Sequence, residues 1–128
     1  MHYDASILLV DDYEFIRTIL ERMLQQLGYQ NLRMAADGVD ALHLLRTRPV
    51  DLVITDYHMP EMDGIGLFQS MQQDPDLAKI PVLLISGVPT EKFVTQALAM
   101  EIQSTLNQSF RAEQLDQEIQ SLLTQSLS

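Results

Sequence analysis

The chain has 128 residues, enough for one domain that buries roughly two thirds of its unfolded surface, and its lack of cysteine points to a reducing, cytoplasmic compartment. Its 18 acidic and 8 basic side chains leave a formal charge of -10, which argues against direct nucleic-acid binding, because phosphate backbones are held by clustered Lys and Arg. Apolar runs such as Ile7–Val10 fall far short of the roughly 18 residues a membrane span requires, and His2, His43 and His58 are too scattered for a zinc site.

Residues 7–10 form an unbroken apolar run of the kind buried on both faces of a parallel sheet, and they lead into Asp11-Asp12, which no signal peptide would tolerate. Ile16, Ile19, Leu20, Met23, Leu24 and Leu27 then recur at helical spacing, with Gly28 as the C-cap. A weaker strand over residues 32–35 leads through Asp37-Gly38 to a helix carrying Val39, Ala41, Leu42 and Leu45. Pro49 ends that helix, because its ring removes a donor and disfavours helix in the residue before it. Residues 52–55 are the third strand. Met59-Pro60 and Asp63-Gly64 mark a turn-rich loop before a helix lined by Ile65, Leu67, Phe68 and Met71. Pro75 and Pro81 frame the connection to a fourth strand at residues 82–85. Pro89-Thr90 opens a helix with Phe93, Val94, Ala97 and Leu98, residues 102–107 form the fifth strand, and Leu115, Ile119, Leu122 and Leu123 line a final helix. The Gln- and Ser-rich stretch from Gln114 to Ser128 is expected to fray or to lead onward. Five strand–helix repeats imply right-handed crossovers and helices on both faces of one parallel sheet, a single α/β domain over residues 1–128.

Ligands of open α/β sheets bind beyond the carboxyl ends of the strands. Here the first strand ends in Asp11-Asp12, the third in Asp56 and the fourth in Ser86-Gly87. Three carboxylates in one pocket call for protonation or a cation, and an all-oxygen donor set selects a hard ion, Mg2+ or Mn2+. An aspartate beside such an ion is placed to attack phosphorus and form an acyl phosphate, with the Ser86 hydroxyl and the Gly87 N–H as donors to the phosphoryl oxygens.

The runs Leu8-Leu9-Val10-Asp11-Asp12, Asp56-Tyr57-His58-Met59-Pro60-Glu61-Met62-Asp63-Gly64 and Pro81-Val82-Leu83-Leu84-Ile85-Ser86-Gly87 resemble the motifs of two-component response regulator receiver domains. The resemblance covers nearly the whole chain; an acidic pair alone is a weak signal, but D-x-x-M-P-x-M-D-G at this distance behind it is highly specific. It implies a three-layer, flavodoxin-like (βα)5 fold with strand order 2-1-3-4-5. It further implies that Asp56 accepts phosphate from a histidine kinase or phosphotransfer protein. Asp12, Asp56 and the His58 backbone carbonyl would hold Mg2+, with Asp11 acting mainly through water. Ser86 would contact the phosphoryl group and shift on activation, and the side chains of His58 and Val88 would set the rate of self-dephosphorylation. A downstream effector protein or domain would read the switched surface, and a second copy of the chain is a candidate partner. No enzymatic activity is implied beyond the domain's own phosphorylation and dephosphorylation.

The chain departs from the family at the end of the fifth strand. Gln108-Ser109-Phe110 stands where the family has lysine and proline, so a neutral amide replaces a charge-assisted contact. Ser109 also makes the family's cis bond expensive, about 2.5–4 kcal/mol against about 0.5–1 before proline. Thr105 replaces the switching aromatic, and Glu101-Ile102 replaces the usual Gly-Ala. These departures support a second reading, a degenerate receiver that acts as a phosphorylation-independent interaction module. Taken alone, Asp11-Asp12 also reads as ordinary helix N-terminal acids, Ser86 as a turn residue, and Met59 and Met62 as packing. A flavin is not expected, since Asp-Asp-Tyr-Glu after the first strand repels phosphate, and a haloacid-dehalogenase-type phosphatase would need D-x-D there.

Overall fold

In the computed structural model, residues 2–57, 59, 62–86, 104–107 and 111–127 are described, with only the backbone of Ser86, residues 104–107 and Leu127. The elements are β1 (Ile7–Val10), α1 (Glu14–Leu27), β2 (Leu32–Ala35), α2 (Gly38–Thr47), β3 (Leu52–Asp56), α3 (Gly64–Gln72), β4 (Val82–Ser86), β5 (Ser104–Asn107) and α4 (Ala112–Leu127). The expected helix with Phe93, Val94, Ala97 and Leu98 lies outside the described residues.

The strands form one sheet in the order β2-β1-β3-β4-β5, and every neighbouring pair is parallel. Strands β3 and β4 each run one residue past the apolar stretch, because the ladder continues through the polar end residues: Asp56 pairs with Ile85, and Ser86 with Asn107. The backbone of Asp56 and Ser86 is thus held by the sheet itself.

Side chains alternate between the faces of β1. Ile7 and Leu9 pack with Leu20 and Leu24 of α1 and Leu115 and Ile119 of α4. Leu8 and Val10 pack on the other side with Leu42 and Leu45 of α2 and Leu67 and Phe68 of α3. Helices therefore cover both faces of the sheet, giving the three layers expected from the resemblance. Val39 is 51% exposed, because α2 buries Gly38, Ala41, Leu42 and Leu45 and residue 39 is rotated off that stripe.

Local signals end the helices where the sequence indicates. Gly28 adopts φ 111°, the left-handed cap region, and its N–H bonds back to the last turn of α1. The side chains of Asp37 and Asp63 cap α2 and α3, accepting from the Asp40 and Gly66 N–H groups at 2.7 Å each.

The stretch from Gln114, expected to fray, is helical through Leu127. Its apolar side packs on α1, and its polar side is anchored as well. The fully buried Tyr29 donates to Asp116 at 2.7 Å and accepts from Gln120 at 2.7 Å, while Tyr3 donates to the other Asp116 oxygen at 3.1 Å.

Candidate functional site

The pairing of Val10 with Thr55 brings the residues that follow, Asp11 and Asp56, side by side at the carboxyl edge of the two central strands. Asp12 comes next on the short β1–α1 loop. One carboxylate oxygen from each of Asp11, Asp12 and Asp56 lies within 4.8 Å of the others. Asp11 is 2% exposed and Asp56 7%.

These acids are held in different ways. The Asp11 N–H donates to the Ala35 carbonyl at 3.2 Å, and its carboxylate accepts from the Tyr13 N–H at 2.9 Å. The Arg17 guanidinium donates to the Asp11 carbonyl. Burial raises the Asp11 pKa above the ordinary carboxylate value and the Asp12 charge adds to the effect, while the Tyr13 N–H and Arg17 oppose it. Asp12 differs, because its Oδ1 is buried and accepts no hydrogen bond from the described residues. A buried carboxylate oxygen without a donor is costly unless something outside the protein's own donors meets it. The set of three clustered acids with one unsatisfied oxygen fits a hard divalent cation.

Asp56 is set at the end of β3 by a tight connection to α3. The Gly64 N–H donates to the Tyr57 carbonyl at 2.9 Å. A Cβ on Gly64 would lie 2.5 Å from the Asp56 carbonyl oxygen and 2.5 Å from a Leu84 methyl, so only glycine admits this approach. Met59 and Met62 pack against the α2–α3 face of the core, as packing residues should. Beside the acids, a cavity of about 210 Å³ is lined by Asp11, Asp56, Ile16, Leu20, Met23 and Ile85, with apolar walls and an acidic rim.

The structure therefore brings together Asp11, Asp12 and Asp56. Ser86 ends β4, one residue beyond the Ile85 that pairs with Asp56, and Thr105 pairs with Leu84. The expected site residues His58, Gly87 and Gln108, together with Val88 and Ser109, lie outside the described residues. Sequence reasoning missed Arg17, and it placed Gly64 in a turn without the close approach to the Asp56 carbonyl that requires glycine. The signal for Arg17 was its place as the fourth residue of a helix, where a cation opposes the helix dipole and needs a specific partner.

A sequence profile described as "Response regulator receiver domain" matches residues 7–120. The chain belongs to this receiver domain family. Phosphorylation by a histidine kinase is the general function of such domains. The chemotaxis protein CheY-3 of Vibrio cholerae is 32% identical over 112 residues, 88% of this chain and 86% of its own. Among solved structures, the signal receiver domain of an HD domain-containing protein from Pseudomonas fluorescens Pf-5 is 33% identical, with a TM-score of 0.87 over 96% of this chain and 97% of its own. The receiver domain of the sensor histidine kinase PA1611 from Pseudomonas aeruginosa PAO1 shares the fold at 22% identity, with a TM-score of 0.86 over 94% of this chain and 98% of its own; its structure holds a magnesium ion coordinated in the active site cleft. Among the described residues of the present receiver domain, no helix is long and apolar enough to cross a membrane.

Proposed function

We propose that this receiver domain accepts phosphate from a histidine kinase or phosphotransfer protein onto Asp56, with Mg2+ or Mn2+ held by Asp12, Asp56 and the His58 backbone carbonyl and by Asp11 largely through water. The observation that carries this reading is the convergence of three carboxylates within 4.8 Å, one with a buried oxygen that has no donor among the described residues. The magnesium ion in the PA1611 receiver is in keeping with it.

An Asp56 carboxylate oxygen attacks phosphorus as the P–N bond of the donor phosphohistidine breaks. The electron pair leaves with the imidazole, and the product is an acyl phosphate. The bound cation supplies charge neutralisation at the phosphoryl oxygens. Ser86 and the Gly87 N–H donate to those oxygens, and Gln108 offers a neutral donor where the family has a cation. The modified surface then engages a downstream effector protein or domain, or a second copy of the chain, in the cytoplasm. No nucleic acid or membrane is engaged directly, in keeping with the charge of -10.

Gln108 and Ser109 favour one alternative, a degenerate receiver whose contacts do not depend on phosphate. Treatment with acetyl phosphate and Mg2+, followed by mass spectrometry, separates the two readings. Phosphate on Asp56 that is lost in Asp56→Asn supports the acceptor, whereas no labelling under conditions that modify a CheY control supports the interaction module.

A further inference from the structure

Only Asp11, Asp12 and Tyr13 separate the last residue of β1 from the first of α1. The residue before α1, Tyr13, gives the helix no side-chain cap. Asp11 braces the loop ahead of the helix instead. Its carboxylate receives the Tyr13 N–H, its amide is tied to Ala35 of β2, and its carbonyl receives the Arg17 guanidinium from one turn into the helix. Arg17 is itself bonded through its backbone N–H to the Tyr13 carbonyl at 3.0 Å. The loop is thus closed on both sides of Asp12, and among the described residues Asp12 has no bond at Oδ1 to fix its own carboxylate. Its direction is inherited from its neighbours.

The charge of Arg17 attracts the Asp11 carboxylate, but toward a bound metal ion it is a cost. A guanidinium beside the acids repels an incoming divalent cation, and a cation in the first turns of a helix opposes the helix dipole. Charge alone therefore gives Arg17 no role in helping to hold a cation, and a supporting role must come from its hydrogen bond. The tether to the Asp11 carbonyl supplies one. We propose that Arg17 is a positioning residue of the metal centre, holding the β1–α1 loop so that Asp12 keeps a carboxylate oxygen beside those of Asp11 and Asp56. This inference rests on the metal-dependent reading above.

The two roles of Arg17 predict opposite signs. If its charge is what matters, Arg17→Gln removes a repulsion and tightens divalent binding. If its tether is what matters, Arg17→Gln loosens binding despite the lost repulsion, because glutamine is too short to reach the carbonyl. Second-sphere partners of metal ligands typically change affinity by about 10–100-fold, and we expect the lower end, roughly tenfold weaker. Arg17→Lys keeps the charge and one donor and should recover part of the loss.

The measurement is titration of metal-free protein with Mn2+, with free Mn2+ followed by electron paramagnetic resonance, at a temperature where circular dichroism shows every variant folded. A merely structural role lowers the melting temperature in EDTA and leaves the Mn2+ affinity of the folded protein unchanged. The inference holds if affinity runs wild type, then Arg17→Lys, then Arg17→Gln. It is overturned if Arg17→Gln binds Mn2+ equally or more tightly. Should Arg17→Gln not fold, Arg17→Lys decides alone, since equal affinity with wild type overturns the tether. Absence of Mn2+ binding by the wild type overturns the metal reading itself, and the inference with it.

Discussion

Replacing Asp12 by asparagine should stabilise the metal-free receiver and abolish its response to Mg2+. Asp12 shares the pocket with Asp11 and Asp56, each offering an oxygen within 4.8 Å. At that separation two unit charges repel by about 3.5 kcal/mol at an effective dielectric of about 20, and by about 0.9 kcal/mol in bulk water. Asp12 is only half-buried, so solvent screening discounts the larger figure, and the summed relief from two neighbours is on the order of 1–3 kcal/mol. For a domain of this size that corresponds to a rise of roughly 4–12 °C in melting temperature, at about 4 °C per kcal/mol. Asparagine keeps the shape, so packing is unchanged. Thermal melts followed by circular dichroism should show Asp12→Asn above wild type in EDTA. With Mg2+ at a hundred times its dissociation constant, wild type gains about 2.7 kcal/mol by mass action and the variant little. If Asp12→Asn melts at or below wild type in EDTA and both gain equally from Mg2+, the three carboxylates do not share one electrostatic pocket.

Other outcomes follow from particular contacts. Tyr29→Phe removes a buried hydroxyl that serves both Asp116 and Gln120, and denaturant titration should show a loss of about 1–2 kcal/mol. Burial first, and the bond to Asp116 second, hold the Tyr29 phenol above its ordinary value of 10.0. The unfolded chain therefore ionises first, so this contribution is intact below pH 10.0 and is lost as pH rises toward the folded value. Wild type should lose stability above that pH more steeply than Tyr29→Phe, and parallel curves would contradict the assignment. Gly64→Ala drives a methyl into the Asp56 carbonyl and should cost roughly 2–3 kcal/mol in chemical denaturation; a neutral effect would mean that the β3–α3 turn relaxes freely. In amide exchange with beryllofluoride, Gln108→Lys should show larger protection changes over residues 90–114 than wild type, because hydrogen bonds to charged groups contribute about 1.5–3 kcal/mol. Equal changes would mean that another residue carries the signal.

Much of this arrangement was legible from local pattern. The bounds of β1 match an unbroken apolar run, and those of β2 match the expected short segment although Arg33 interrupts its apolar residues. Strands β3 and β4 outran the pattern by one residue each, since Asp56 and Ser86 are polar and only the neighbouring strand reveals that the ladder continues. The meeting of Asp11, Asp12 and Asp56 followed from strand ends plus the strand order that the resemblance implies. What could not be read was long-range and side-chain specific. Tyr29 and Asp116 are 87 positions apart, and no periodicity marks a tyrosine as the anchor of a distant helix. Arg17 read as one more polar residue of α1, because its partner is a backbone carbonyl, which carries no sequence signature. Val39 matched the apolar composition of α2 but not its angular position, which only the packing of Ala41, Leu42 and Leu45 defines.

The central claim is that Asp56 is the acceptor, and it is tested most directly by locating the phosphate. Wild-type protein treated with acetyl phosphate and Mg2+, then reduced with borohydride to convert any acyl phosphate to a stable alcohol, should yield homoserine at position 56 in peptide mass spectrometry. The conversion should disappear when Mg2+ is replaced by EDTA. Homoserine at position 11 or 12, or stable phosphate on Ser86, would contradict the account.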